Sequence, residues 1–162
     1  MTAFVDTNIL VRHLTGDPPA MAARATAYLA SASELLLADL IVAETVYVLE
    51  SYYKVSRTQV ADSMRSLLAF KPIVTVDPAL LLRAIEVYEI ERLDFAEAYL
   101  VACAETTGIN QVASFDQAID RVSTVERIEP PTPPTRANRT IPTTRSAHDR
   151  QPAQMDRSGL AP

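Results

Sequence analysis

At 162 residues, 48% of them apolar, the chain can build one core-bearing domain with a segment left over. A single cysteine beside two histidines excludes an intrachain disulfide and argues against a structural zinc site. The net charge of −5 is unevenly spread: Arg136, Arg139, Arg145, Arg150 and Arg157 against Asp149 and Asp156 give residues 130–162 a balance of +3, leaving −8 on the first 129. So acidic a domain lacks the basic face of a simple phosphate-coating DNA binder. A metal-dependent nuclease stays open, because a bound cation compensates its carboxylates.

Taken in chain order, Ala3-Phe4-Val5 is a short apolar run ending in Asp6 and predicts a first strand. Alanine-rich composition with Met21, Ala25, Tyr28 and Leu29 at helical spacing predicts a helix from Pro19 to about Ser31. Leu35-Leu36-Leu37-Ala38 fits a buried second strand, and Asp39 is placed to cap a helix running to about Tyr53. Tyr47, Tyr52 and Tyr53 are expected to pack. Ser56 with Gln59 has the capping-box spacing for a helix to Phe70. Ile73-Val74-Thr75-Val76 reads as a third strand, after which Asp77-Pro78 supplies a cap and first residue. Asp94 opens a helix over 95–107, closed by Gly108. Within it, Leu100-Val101-Ala102-Cys103-Ala104 makes Cys103 a buried packing residue. Val112-Ala113-Ser114-Phe115 is a fourth strand, and 124–128 suggests a fifth.

From Pro130 the chain turns rich in Pro, Thr, Arg and Ser, with seven of the 11 prolines. Such a segment buries too little apolar surface to offset ordering entropy, so a folded domain over 1–129 and a disordered tail over 130–162 are expected. No run approaches the roughly 18 apolar residues of a membrane span, and no basic N-terminal region precedes an apolar one. A soluble cytoplasmic protein is the expectation. Short apolar strands alternating with helices imply an α/β fold with a parallel sheet covered on both faces, whose sites form beyond the strands' carboxyl ends.

Asp6 and Asp116 both stand just past such ends. Glu44 has Leu40, Ile41, Tyr47 and Val48 three and four residues away, and Glu97 has Leu100, Val101 and Ala104, so both acids read as lying within buried helical stripes. A lone buried carboxylate costs several kcal/mol unless paired or metal-bound. Basic neighbours in sequence are few, Arg12, Lys54 and Arg92 being the nearest. A hard cation such as Mg²⁺, or Mn²⁺, resolves the repulsion among converging acids, and an open carboxylate-held cation equips a protein for phosphodiester hydrolysis. Blander roles stand beside these: Asp94 with Glu97 has capping-box spacing, Asp116 suits a turn or cap, Asp120 an exposed helix acid, and His13 a surface histidine.

Together, Phe4-Val5-Asp6-Thr7-Asn8-Ile9-Leu10, Glu44, Leu93-Asp94-Phe95-Ala96-Glu97-Ala98-Tyr99-Leu100 and Ala113-Ser114-Phe115-Asp116 resemble the PIN-domain family, especially the VapC-type toxins. The resemblance spans 1 to about 129 and implies a three-layer α/β/α fold. It also implies a metal site of Asp6, Glu44, Asp116 and an acid from the Asp94/Glu97 pair, with Thr7, Asn8 and Ser114 as supporting polar residues. The family usually reads Asp-Phe-Ala-Asp-Ala where this chain has Glu97, one methylene longer, so Asp94 remains an alternative third acid. The implied activity is Mg²⁺-dependent endoribonuclease cleavage leaving 5′-phosphate and 3′-hydroxyl ends. The implied setting is a homodimer held in check by a cognate antitoxin, and Arg12, Lys54, Arg57 and Arg65 are the bases expected to guide the RNA backbone.

Two other enzyme classes fail on particular residues. A haloacid-dehalogenase-type phosphatase needs a second Asp where Asn8 stands, and a receiver domain needs an acidic pair and a lysine that are absent. A non-catalytic PIN scaffold, binding RNA or a partner protein, is the alternative that tolerates Glu97.

Overall fold

The computed structural model describes residues 2–133. The chain divides into two units, Met1–Pro130 and Pro131–Pro162. The tail expected over 130–162 lies almost wholly outside the described residues.

In the first unit, β1 (Thr2–Phe4) pairs in parallel with β2 (Glu34–Leu36), which pairs in parallel with β3 (Ile73–Val74). A second parallel pair joins β4 (Gln111–Ala113) to β5 (Glu126–Ile128). All the strands are two or three residues long. The expected parallel pairing is present as a three-stranded and a two-stranded piece.

Six helices intervene: α1 (Thr7–Thr15), α2 (Pro19–Ser31), α3 (Asp39–Ser51), α4 (Arg57–Leu68), α5 (Pro78–Ile90) and α6 (Phe95–Thr107). Local chemistry sets most of their ends. Ser56 and Gln59 form the reciprocal capping box of α4, and the Asp77 carboxylate accepts from the Leu80 N–H to start α5. Gly108 ends α6 at φ 71°, a left-handed conformation that costs a side-chain-bearing residue. The sequence pattern missed α1. It is capped by Asp6 and closed by Gly16 at φ 73°, and it packs Leu10 into the core.

Leu35, Leu37, Val42, Val46, Met64, Leu81, Ile85 and Tyr88 are among the fully buried side chains that join the helices to the three-stranded sheet. Around this core, ion pairs staple successive helices. Arg83 of α5 makes a two-pronged pair with Glu105 of α6, Nε to Oε2 at 2.7 Å and Nη2 to Oε1 at 2.8 Å. Thr124, ahead of β5, donates to the same carboxylate. Arg83, then Thr124, hold the Glu105 carboxyl below its ordinary value against the opposing effect of burial. A carboxylate with a lowered pKa contributes stability that is complete above the unfolded-state value and lost as pH falls toward the folded-state one. Glu105→Gln is thus expected to lower stability by roughly 1 kcal/mol at neutral pH. The deficit should shrink toward nothing below about pH 4. Urea unfolding of both proteins across that range checks this, and a deficit constant with pH would contradict it.

Candidate active site

Parallel pairing turns the carboxyl ends of β1, β2 and β3 one way, and an aspartate follows each: Asp6, Asp39 and Asp77. Asp116 follows β4 in the same manner. Each has a distinct local duty. Asp77 is consumed by its helix cap. Asp6 caps α1, accepting from the Asn8 N–H at 3.4 Å and from the Asn8 side-chain Nδ2 at 3.3 Å, and its carboxylate stays exposed. Asp116 caps the 3-10 turn at Gln117–Arg121 through the Ala118 N–H at 2.8 Å, while its own N–H donates to the Ser114 hydroxyl at 2.9 Å.

Glu44 is not within a buried stripe. The face that α3 turns inward carries Val42, Thr45, Val46 and Leu49, leaving Glu44 exposed between Leu40 (77% exposed) and Tyr47 (68%). Its carboxylate is fixed nevertheless: buried Thr7 donates Oγ1–H to Glu44 Oε2 at 2.6 Å. Glu44 and Asp6 thereby line one cleft of about 250 Å³ with Asp17, Arg12, Tyr52 and Tyr53. Tyr52, expected to pack, is 77% exposed and meets Tyr53 edge to face.

Glu97 is half-buried in the first turn of α6 and sits against Asp116. Burial first, then the hydrogen bond and charge of Asp116, push the Glu97 carboxyl above its ordinary value. Asp116 is held below its own by the Ala118 N–H and by Glu97. The two shifts run in opposite directions, the usual outcome when carboxylates approach without a base between them. The Asp94 side chain makes no capping bond; only its backbone takes part, and its charge adds to the push on Glu97.

Asp6 and Glu44 thus share one cleft while Glu97 sits against Asp116, and among the described residues no group of three closes as a ready-made metal cage. Every supporting residue expected from the sequence touches an acid: Thr7 touches Glu44, Asn8 touches Asp6, and Ser114 touches Asp116. Among the described residues the ion pairs fall on Glu50, Asp62, Glu89, Glu86, Glu105, Asp120 and Glu129, and on none of Asp6, Glu44, Asp94, Glu97 or Asp116.

Residues 3–125 match the PIN domain as a family. The chain belongs to the PIN-domain family. PIN domains are generally nucleases that use divalent metal, and the fold of mixed helices and parallel strands agrees with that membership. A comparison with curated proteins finds no match. The donor set of this PIN domain suits such a cation: Asp6, Glu44, Glu97 and Asp116 offer carboxylate oxygens, His13 is engaged with Thr26 at 2.9 Å, and a cation would relieve the repulsion that raises the Glu97 carboxyl beside Asp116.

Three features were not anticipated. Asp39 is the first residue of α3 rather than its cap; it accepts from the Tyr99 hydroxyl at 2.6 Å and so ties the start of α3 to α6, two residues beyond Glu97. Cys103 is half-buried, not sealed in the core. Of the expected RNA-guiding bases, Arg57 and Arg65 are taken up by internal partners: Arg57 by the Tyr88 and Leu93 carbonyls, Arg65 by Glu89 and Asp62. Lys54 is exposed just past α3, and Arg12 lies beside Asp6 with its Nη1 donating to the Asp17 carbonyl at 3.0 Å and to the Tyr53 hydroxyl at 3.2 Å. Arg24, which the sequence reading passed over, joins Arg12 at the site. Among the described residues no helix is long and apolar enough to cross a membrane.

Proposed function

We propose that this PIN domain is a Mg²⁺-dependent endoribonuclease of the cytoplasm, the toxin of a toxin–antitoxin pair. The observation that carries the reading is the placement of the acids: Asp6 and Asp116 each follow the carboxyl end of a strand, Thr7 holds Glu44 in the cleft that Asp6 lines, and Glu97 sits against Asp116. Asp6, Glu44, Glu97 and Asp116 would hold the cation, with Asp94 as the alternative third acid. When bound, Mg²⁺ or Mn²⁺ supplies Lewis acidity toward the phosphodiester and toward water. The chain's own share is to fix those acids: Thr7 holds Glu44, Asn8 orients Asp6, and Ser114 turns Asp116. Arg12 and Lys54 are the bases that would steer the phosphate backbone.

A homodimer would cover Leu40 and Tyr47 of α3 and Leu100 of α6, apolar side chains now exposed on neighbouring helices. An antitoxin would supply the regulation, and the toxin role rests on the resemblance to VapC-type proteins.

The test incubates the protein with structured RNAs in Mg²⁺, Mn²⁺ or EDTA, beside Asp6→Asn, with oligomeric mass measured on the same preparation. Cleavage that needs metal and vanishes in the variant supports the nuclease. Folded protein that binds RNA yet cuts nothing in either metal would instead favour a non-catalytic scaffold, for which Glu97 in the usual aspartate position is the motivating feature.

A further inference from the structure

The acids of the site stand on elements far apart in the chain. Glu44 belongs to α3 and shares the cleft that Asp6 lines, whereas Glu97 belongs to α6 and sits against Asp116. A hydrogen bond spans these two helices: the Tyr99 hydroxyl on α6 donates to Asp39 Oδ2 on α3 at 2.6 Å. Tyr99 lies two residues past Glu97, and Asp39 lies five before Glu44, beyond the carboxyl end of β2.

The helices do not need this bond in order to associate. Val42 and Val46 of α3 and Ala98 and Val101 of α6 already meet in the common core. Apolar burial has no direction, however, and tolerates small slides and turns of one helix on another. A short hydrogen bond fixes one point of α6 against one point of α3. It does so at a cost: Asp39 Oδ1 is buried with no hydrogen-bond partner among the described residues. Ligands for a demanding octahedral ion need placement within roughly 0.5 Å, which packing alone does not supply. Glu97 sharpens the need, having one more rotatable bond than an aspartate.

We propose that Tyr99 and Asp39 are positioning residues for the divalent cation, their hydrogen bond setting α6 against α3 and so Glu97 against Glu44. This role rests on the metal-binding half of the nuclease reading. Neither residue is a ligand in it; both act through the helices that carry the ligands.

The experiment titrates Mn²⁺ into the full chain without RNA, follows the free ion by electron paramagnetic resonance, and records melting in EDTA and in Mn²⁺. Tyr99→Phe keeps the ring and removes the donor, and Asp39→Asn keeps an acceptor. Glu105→Gln is the control, because the ion pair it removes ties α6 to α5 rather than to α3. Tyr99→Phe is expected to weaken Mn²⁺ binding about 10-fold, the lower end for groups that orient a metal's ligands. Asp39→Asn should weaken it less, and Glu105→Gln should bind Mn²⁺ as wild type does despite melting earlier. Reciprocity then requires the stability lost in Tyr99→Phe to be greater in Mn²⁺ than in EDTA. Wild-type Mn²⁺ affinity in Tyr99→Phe, with the same stability loss in both media, would overturn the proposal and leave the nuclease reading intact. An equal loss of affinity in Glu105→Gln would overturn it as well, as would a larger loss in Asp39→Asn than in Tyr99→Phe, or a wild type that takes up no Mn²⁺. The expected pattern in a protein that cuts no RNA would end the nuclease reading while the positioning role stood.

Discussion

Glu97→Gln is expected to reduce Mg²⁺-supported RNA cleavage at least about 100-fold while leaving the fold intact. Groups that merely orient a metal's ligands cost about 10- to 100-fold when changed, so loss of a ligand itself belongs at or beyond the upper figure. Glutamine keeps the length and nearly the shape of glutamate, and Glu97 is only half-buried, so packing should hold. What disappears is a carboxylate that, with Asp116, is the nearest thing to a preformed acid pair in the site. The raised Glu97 carboxyl gives a second signature. Because burial and Asp116 keep the Glu97 carboxyl above its ordinary value of 4.5, a cation must displace a proton from wild type over a pH range where a free glutamate is already ionised. Apparent Mg²⁺ affinity should therefore weaken as pH falls toward and through the raised Glu97 value, and Glu97→Gln should show a flatter dependence. Glu97→Asp, which restores the residue usual in the family, is expected to retain activity. Cleavage rates against Mg²⁺ concentration at several pH values read all three. A Gln variant as active as wild type would remove Glu97 from the metal-binding set and move the third acid to Asp94.

How far the sequence exposed this arrangement depends on the range over which each feature is determined. The bounds of α2, the Ser56–Gln59 box, the Asp77-Pro78 start and the Gly108 stop are set within a few residues of chain, and all four were legible. Helix α1 was not, because Thr7, Ile9, Val11 and Thr15 are β-branched and lower its intrinsic propensity. Its cap and the burial of Leu10 settle the matter. In α3, apolar residues occur around most of the circumference, so periodicity cannot say which side faces the core. It placed Glu44 inside, whereas the buried stripe runs through Val42, Thr45, Val46 and Leu49. Asp6 and Asp116 could be found because strand ends are local features. The Thr7–Glu44 bond, between residues 37 apart, and the contact of Asp39 with Tyr99 exist only once the helices have packed. The same holds for Arg57 and Arg65, which look like free cations in sequence and are internal ties in the fold.

Arg57→Ala is expected to produce the largest stability loss of any single exposed-looking base, roughly 2–4 kcal/mol. Its guanidinium, three-quarters buried at the start of α4, donates Nη1 to the Tyr88 carbonyl at 2.7 Å and also to the Leu93 carbonyl. It lies 4.3 Å over the ring of fully buried Tyr88 and 3.6 Å from Glu50 near the end of α3. One side chain thus joins α3, α4, the last turn of α5 and the loop that leads into α6. The Tyr88 carbonyl belongs to a helix end whose acceptors lack helical donors and whose dipole favours a cation. Truncation would leave that carbonyl and the Leu93 one without their charged donor, and would expose the Glu50 carboxylate to Tyr88, whose phenol burial and Glu50 already push well up. Arg57→Lys should recover less than half of the loss, since an ammonium cannot span two carbonyls and a ring at once. Leu93 immediately precedes Asp94 and lies four residues before Glu97, so loosening this tie should also lower cleavage by the molecules that remain folded. Chemical denaturation measures the first effect, and cleavage corrected for folded fraction measures the second. An alanine variant as stable as wild type, yet weaker for RNA, would return Arg57 to the role of a backbone-guiding base and show that the carbonyl contacts contribute little.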